Sequence, residues 1–149
     1  MENIAFAYKF TGDAVYAEGA KKYLDNAMAY TDWNNINHYL DTSALMHGFA
    51  IAYDWCRDYF EENYPGYLAE LRAAVKKFGL DRAEELYTGT KYEWHRFTHN
   101  VNIVDNSGVI MAALICSEDE SMREYSAQML AYALHSISGA LVAYSPDGA

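Results

Sequence analysis

Apolar residues in this sequence return at gaps of three and four, segment after segment, and that spacing limits what the chain can fold into more than any other feature. A helix turns once in about 3.6 residues, so such a repeat lays a continuous apolar stripe along one side of a helix. Tyr16, Ala20, Tyr23, Ala27 and Tyr30 form one such stripe, and Leu45, Phe49, Ala52, Cys56 and Tyr59 form another. Leu68, Leu71, Val75 and Phe78 make a third, Val104, Gly108, Met111 and Ile115 a fourth, and Met122, Tyr125, Met129 and Tyr132 a fifth. No stretch alternates with period two over a useful length, so no strand is expected. Only 9 glycines and 2 prolines interrupt 149 residues, which favours a packed helical chain.

Six helical segments follow, in three pairs. Residues 2–10 form a short one that stops at Thr11-Gly12-Asp13, where Asp13 is suited to cap the next. A polar, aromatic loop runs from Thr31 to Leu40. The third segment starts near Asp41-Thr42-Ser43 and ends near Glu61, and Pro65 fits the first turn of the fourth. That one meets Gly79, with one or two further turns over 81–87. A second polar, aromatic loop spans Thr88 to about Asn100, and Ser117-Glu118-Asp119 separates the last two helices. The expected fold is all-α, a single helical domain over 1–149 with three consecutive antiparallel αα hairpins forming part of an incomplete (α/α) toroid. The first helix begins without a cap and Ser145-Pro146-Asp147-Gly148 is a turn with nothing after it, so a fragment of a larger toroid is expected. Its terminal helices would then expose apolar faces that favour a homo-oligomer.

Charge and composition remove several functions. The net charge of −10 repels phosphate backbones and no Lys/Arg cluster offsets it, so no nucleic acid is expected as partner. No segment holds 18 consecutive apolar residues, and no basic stretch precedes an apolar one at the N-terminus, so neither a membrane span nor a signal peptide is expected. Cys56 and Cys116 lie in apolar helical stretches and read as small buried hydrophobes.

Chemistry concentrates in Lys91-Tyr92-Glu93-Trp94-His95-Arg96-Phe97-Thr98-His99-Asn100-Val101-Asn102. Aromatic rings stack on pyranose faces, while amides and guanidinium groups bind hydroxyls and carboxylates, so this mixture suits a sugar site. The competing reading is a helix-connecting loop whose asparagines cap a helix and whose aromatics cover the core. His95 and His99 have a metal-compatible spacing but lack the intervening Glu of a zinc-protease motif; no metal or cofactor is expected. Asp54, Asp58 and Glu61 read as a solvated face. His38 is ambiguous, and His47, in an apolar stretch, reads first as a hydrogen-bonded interior histidine. No nucleophile elbow or phosphate loop is present.

Several blocks together resemble one family. Ala5-Phe6-Ala7-Tyr8-Lys9-Phe10-Thr11-Gly12-Asp13 with Tyr16-Ala17, Ala50-Ile51-Ala52-Tyr53-Asp54-Trp55, and His99-Asn100-Val101-Asn102-Ile103-Val104-Asp105-Asn106-Ser107-Gly108 are similar, in order, to segments of the helical toroid of the heparinase II/III-like polysaccharide lyases. Ala112-Ala113-Leu114 and Tyr144-Ser145-Pro146-Asp147-Gly148 are similar to the helix and turn that follow. The resemblance implies a parent, usually periplasmic or secreted, that cleaves uronic-acid-containing glycans by β-elimination. It implies an acidic polysaccharide or oligosaccharide as partner, with Asn100 neutralising the substrate carboxylate and His99 beside it as the catalytic pair. Arg96, Asn102, Trp94, Trp33 and His47 are then the candidate substrate-binding residues. The family's catalytic tyrosine follows the Pro-Asp-Gly turn and falls outside this sequence, so the chain alone is expected to be inactive. His99, Val101 and Asp105 depart from the family pattern, and Asp105 would repel a polyuronate unless paired, with Arg96 the candidate partner. The alternative is a tetratricopeptide-like protein-interaction module.

Overall fold

The computed structural model describes residues 1–34, 38–91 and 93–144. Among them are eight α-helices: α1 (Glu2–Thr11), α2 (Ala14–Met28), α3 (Leu40–Trp55), α4 (Arg57–Asn63), α5 (Tyr67–Val75), α6 (Asp81–Thr88), α7 (Asn100–Cys116) and α8 (Arg123–Val142). A π-helical turn, Lys76–Leu80, joins α5 to α6, and 3-10 turns occur at Trp94–Arg96 and Glu120–Met122. No strand occurs among the described residues.

Local chemistry sets the hairpin corners. Gly12 ends α1 at φ 70°, a left-handed conformation that costs glycine little, and its N–H bonds Tyr8 O. Asp13 then caps α2 by accepting from Val15 N. With so short a connection α2 must fold back on α1, and Gly19 lies against Ile4. The expected single third helix breaks at Cys56 into α3 and α4. Gly66, at φ 90°, stands before α5, so Pro65 precedes the helix instead of occupying its first turn. The expected stop at Gly79 is a π-turn that the helix passes through: Gly79 O accepts from Tyr39 Oη at 2.7 Å, and the Met46 sulfur fills the space a side chain at 79 would need.

Residue pairs across the helices fix their directions. Met1 meets Gly48 and Phe6 meets Trp55, so α1 and α3 run parallel. Ser43 donates to Val104 O, His47 pairs with Ser107, and Tyr53 donates to Glu118, so α3 and α7 are parallel too. The partner helices form a second parallel row. Tyr59 and Tyr64 donate to Glu18 and Tyr67 donates to Asp25, which lays α4 and α5 along α2. Tyr125 donates to Asp81 and the Tyr132 ring packs on Tyr87, which lays α8 along α6. Between the rows the sense reverses: Tyr53 meets Arg72 while Tyr39 meets Gly79, and α8, which starts a few residues after α7 ends, reaches the start of α7 only later, where Asn102 and Asn106 meet Ser136. Three antiparallel αα hairpins stand side by side, with α1, α3 and α7 in one layer and α2, α4–α6 and α8 in the other.

Burial follows the expected stripes in most segments, with changes of phase on α2 and on α7, where Val104 is exposed and the buried face runs through Asn102, Asp105, Val109, Ala112 and Cys116. On α2 the buried residues are Ala17, Ala20, Leu24 and Ala27, while Tyr16, Tyr23 and Tyr30 stay exposed. Alanines let α1 and α2 approach closely, and three tyrosines on that side would hold them apart. The tightest approach is between α3 and α7. A Cβ on Gly108 would clash with Ser43 Oγ and stand 3.0 Å from Ser43 Cα and from Ser43 O. Backbone cannot yield as a side-chain tip can. Gly108→Ala is therefore expected to cost about 1–3 kcal/mol, the usual range for overpacking. Trimming Ser43 to Gly in the same chain should restore only part of that, because the clash with its Cα and O remains. Denaturant unfolding of the single and double variants measures both.

Candidate functional site

The segment that suits a sugar site in sequence folds as a 3-10 turn, an extended corner at Phe97 and the N-terminus of α7. What holds it is polar and buried. Asn102 Nδ2 donates to Trp94 O at 3.2 Å and to Ser136 Oγ at 3.0 Å. Asn106 Nδ2 donates to Asn102 O, Asn102 Oδ1 and Ser136 Oγ. Tyr87 Oη donates to Asn106 Oδ1 at 2.6 Å, and Ser136 Oγ donates to His95 O at 2.6 Å. Asn102 is thus a girder between α7, α8 and the turn. Its amide is fully buried and spent on protein partners, so it is not open to substrate.

The two tryptophans belong to the core. Trp33 packs against Phe49 and Phe78, and its indole donates to Ala27 O. Trp94 stacks on Tyr39 with ring centres 5.0 Å apart. They are 1% and 2% exposed, so neither ring offers a face to a sugar. Asn35 and Asn37, from the loop beside Trp33, and Tyr92 lie outside the described residues, as does the Ser145-Pro146-Asp147-Gly148 turn.

Other candidates are accessible. His99 immediately precedes α7 without capping it by a side-chain bond, and its ring leans on Phe97 at 4.7 Å. Asn100 opens α7 and is exposed. Because α3 and α7 are parallel and level at Ser43 and Val104, their N-termini share one rim, each with the positive end of a helix dipole, while α1 begins deeper, with Met1 beside Gly48. His47 is half-buried on the wall below, two helical turns of α7 deeper, with Nε2 3.0 Å from Ser107 Oγ. Ser107 Oγ also donates to Val104 O at 2.7 Å, so its proton is committed and His47 Nε2 supplies the hydrogen between them. Farther along, α3 and α7 flank a groove of about 420 Å³ lined by Ile51, Trp55, Met111 and Leu114, with Asp54 and Glu118 at its edge. Arg96 does not join the rim. It turns toward α8, where Nε donates to His95 Nε2 and Nη2 to Gly89 O. His95 and His99 share no helical face, since one lies in the 3-10 turn and the other precedes α7. Tyr87, Tyr132, His135 and Ser136, which surround Arg96 and His95, carried no signal in the sequence because their placement depends on α6 and α8 meeting at this point.

Asp105 is the outlier. It is fully buried and neither carboxylate oxygen has a hydrogen-bond partner, so the pairing with Arg96 that its position suggested is not made. Burial alone raises its pKa from 3.8 to about 8, as expected when a charged form loses its water. Burial also raises the nearby Tyr39 and Tyr87 phenols, with the Asp105 charge a lesser cause.

No model of a known protein family matches the chain, and no curated protein matches it either.

A buried acid whose folded pKa is raised gives a definite sign. Between about pH 4 and pH 8 the native chain holds a proton that the unfolded chain has released, so stability falls as pH rises through that window. The contribution is full below the unfolded value and lost above the folded one, with a limiting slope of about 1.4 kcal/mol per pH unit for one proton. Asp105→Asn should remove that component of the slope. Urea unfolding of wild type and variant from pH 4 to pH 9 checks it, and parallel curves would show that Asp105 is ionised or solvated in the native state.

Proposed function

We propose that this chain is part of a glycan-binding helical toroid of the heparinase II/III-like lyase kind, and that the start of α7 receives the carboxylate of a uronic acid. The observation that carries this reading is the exposed His99-Asn100 pair at the N-terminus of a 17-residue helix, on a rim shared with the parallel N-terminus of α3. Uncapped backbone N–H groups and the positive end of the dipole favour an anion there. That local bias matters in a chain whose overall charge of −10 opposes binding of a polyanion.

β-Elimination from a uronate explains why such a rim is useful. The C5 proton becomes removable only when the adjacent carboxylate is neutralised, because the electrons of the C5–H bond spread into it as the proton leaves. In this proposal Asn100 donates an amide N–H to the carboxylate, the α7 N-terminus adds its partial charge, and His99 stands beside the reacting carbon to exchange a proton. The two layers of paired helices support the reading because a toroid is built from such pairs.

A second reading has its own observation. The groove between α3 and α7 exposes Trp55, Met111 and Leu114 along one line, which suits an apolar protein segment and the helical-repeat alternative. The two readings place the ligand at opposite ends of the same layer.

Calorimetric titration with oligosaccharides of alginate, heparosan, hyaluronan and chondroitin separates them. At least one should bind, and Asn100→Ala should weaken it by about tenfold or more, the loss of about 1.4 kcal/mol from one charge-assisted hydrogen bond. Binding of none of the four would defeat the glycan reading, and binding indifferent to Asn100→Ala would remove Asn100 from it.

A further inference from the structure

A second concave site lies on the other side of the Trp94–Thr98 segment from the rim. It is a cavity of about 360 Å³ enclosed by the 3-10 turn, α6 and α8, at the lower end of the roughly 300–1,000 Å³ typical of small-ligand pockets. Arg96, His95 and His135 line it, together with Tyr132, Phe97 and Thr98, and among the described residues no carboxylate does. In a chain with 21 acidic and 11 basic residues, a concave surface with a guanidinium and no acid among its described residues has the wrong sign for the rest of the molecule and the right sign for an anion.

Hydrogen bonds around the lining fix the state of two of its groups, His95 and Tyr132. Arg96 Nε donates to His95 Nε2 at 3.1 Å, so in the neutral ring the proton sits on Nδ1. Burial first, and the Arg96 charge second, hold His95 below the usual histidine range, which keeps it in that neutral form. Nδ1 is itself buried and has no hydrogen-bond partner among the described residues, so it lies behind the lining and not on it. Tyr132 Oη accepts from Gln128 Nε2 at 2.9 Å and keeps its own proton to donate. The Tyr132 and Phe97 rings add apolar faces beside these donors, the combination a pyranose with an acidic substituent requires.

We propose that this cavity is an anion-binding subsite that takes the carboxylate of an acidic saccharide, with Arg96 and His135 facing the charge and Tyr132 and Phe97 against the ring. The saccharide class rests on the functional reading above, whereas the preference for an anion rests on the lining alone. The site is separate from the α7 rim, since Arg96 turns toward α8 while Asn100 opens α7. A glycan held at both places would wrap the Trp94–Asn100 segment and occupy two sugar positions.

Amide chemical-shift mapping of the full chain tests it, with tetrasaccharides of heparosan and alginate as probes and acetate as the control. The expected result is saturable shifts at His135, Ser136 and Gly139, weakened about tenfold or more by Arg96→Gln and severalfold by His135→Gln. The His135 side chain is exposed and makes no hydrogen bond among the described residues, so its variant reads binding without disturbing the fold if Arg96→Gln unfolds the turn. Shifts at His99 and Asn100 with none in the cavity would overturn this inference and leave the functional reading standing. Shifts in the cavity with none at the rim would support it and remove the rim. Acetate binding as tightly as the tetrasaccharides would overturn the saccharide assignment, and silence at both places would overturn both proposals.

Discussion

The approach of α3 to α7 at Ser43 and Gly108 is the contact on which the remaining architecture depends. Only a residue without Cβ lets the two backbones come so near, and Ser43 uses the proximity to donate to Val104 O at 2.8 Å. Once α3 and α7 are locked side by side and parallel, the connecting helices must return on the other side, because each short link reverses the chain. The two-layer arrangement and the shared rim of N-termini follow from that one parallel pair. Helix N-termini that point the same way add their partial charges instead of cancelling them.

A buried polar network supplies the second constraint. Asn102, Asn106, Tyr87 and Ser136 satisfy one another and the carbonyls of Trp94 and His95, so the turn before α7 is tied to three helices at once. Fully paired networks of this kind fix one geometry, since any shift leaves a buried group without a partner. Asp105, one residue from that network, is the opposite case: a carboxyl with neither oxygen paired. It keeps its place in the core by staying protonated up to about pH 8, which ties the stability of this region to pH. The Trp94–Asn100 segment separates the rim from the cavity beside α8, so its rigidity sets the distance between the two proposed ligand positions.

Periodicity made the helices legible because burying an apolar stripe is the main reason a helix of this size forms. Phase was harder to read. On α2 both the tyrosines and the alanines recur with helical spacing, and only the need for close α1–α2 packing decides that Ala17, Ala20 and Ala27 go inside. Gly79 reads as a stop because sequence shows the missing side chain and not the Met46 sulfur that takes its place. The site was legible as a segment and not as a set of roles. A polar, aromatic run looks the same whether its asparagines meet a ligand or a neighbouring helix, and here Asn102 meets Ser136 while Asn100 faces solvent. Trp33 and Trp94 are large enough that burial outweighs exposure for stacking. His135 and Tyr132 lie some forty residues from Arg96, so only the packing of α8 on α6 and α7 brings them together.

The role proposed for this helical layer is recognition of a uronate carboxylate through its N-terminal rim. Comparing one oligouronate with the same oligosaccharide after methyl esterification isolates that group, because the ester keeps the ring, the hydroxyls and nearly the size while removing the charge. The account requires the esterified glycan to bind at least about tenfold more weakly, the equivalent of one charge-assisted hydrogen bond of about 1.4 kcal/mol. Equal affinity for the acid and the ester would contradict it, and would move the recognition from the charged rim to the apolar groove between α3 and α7.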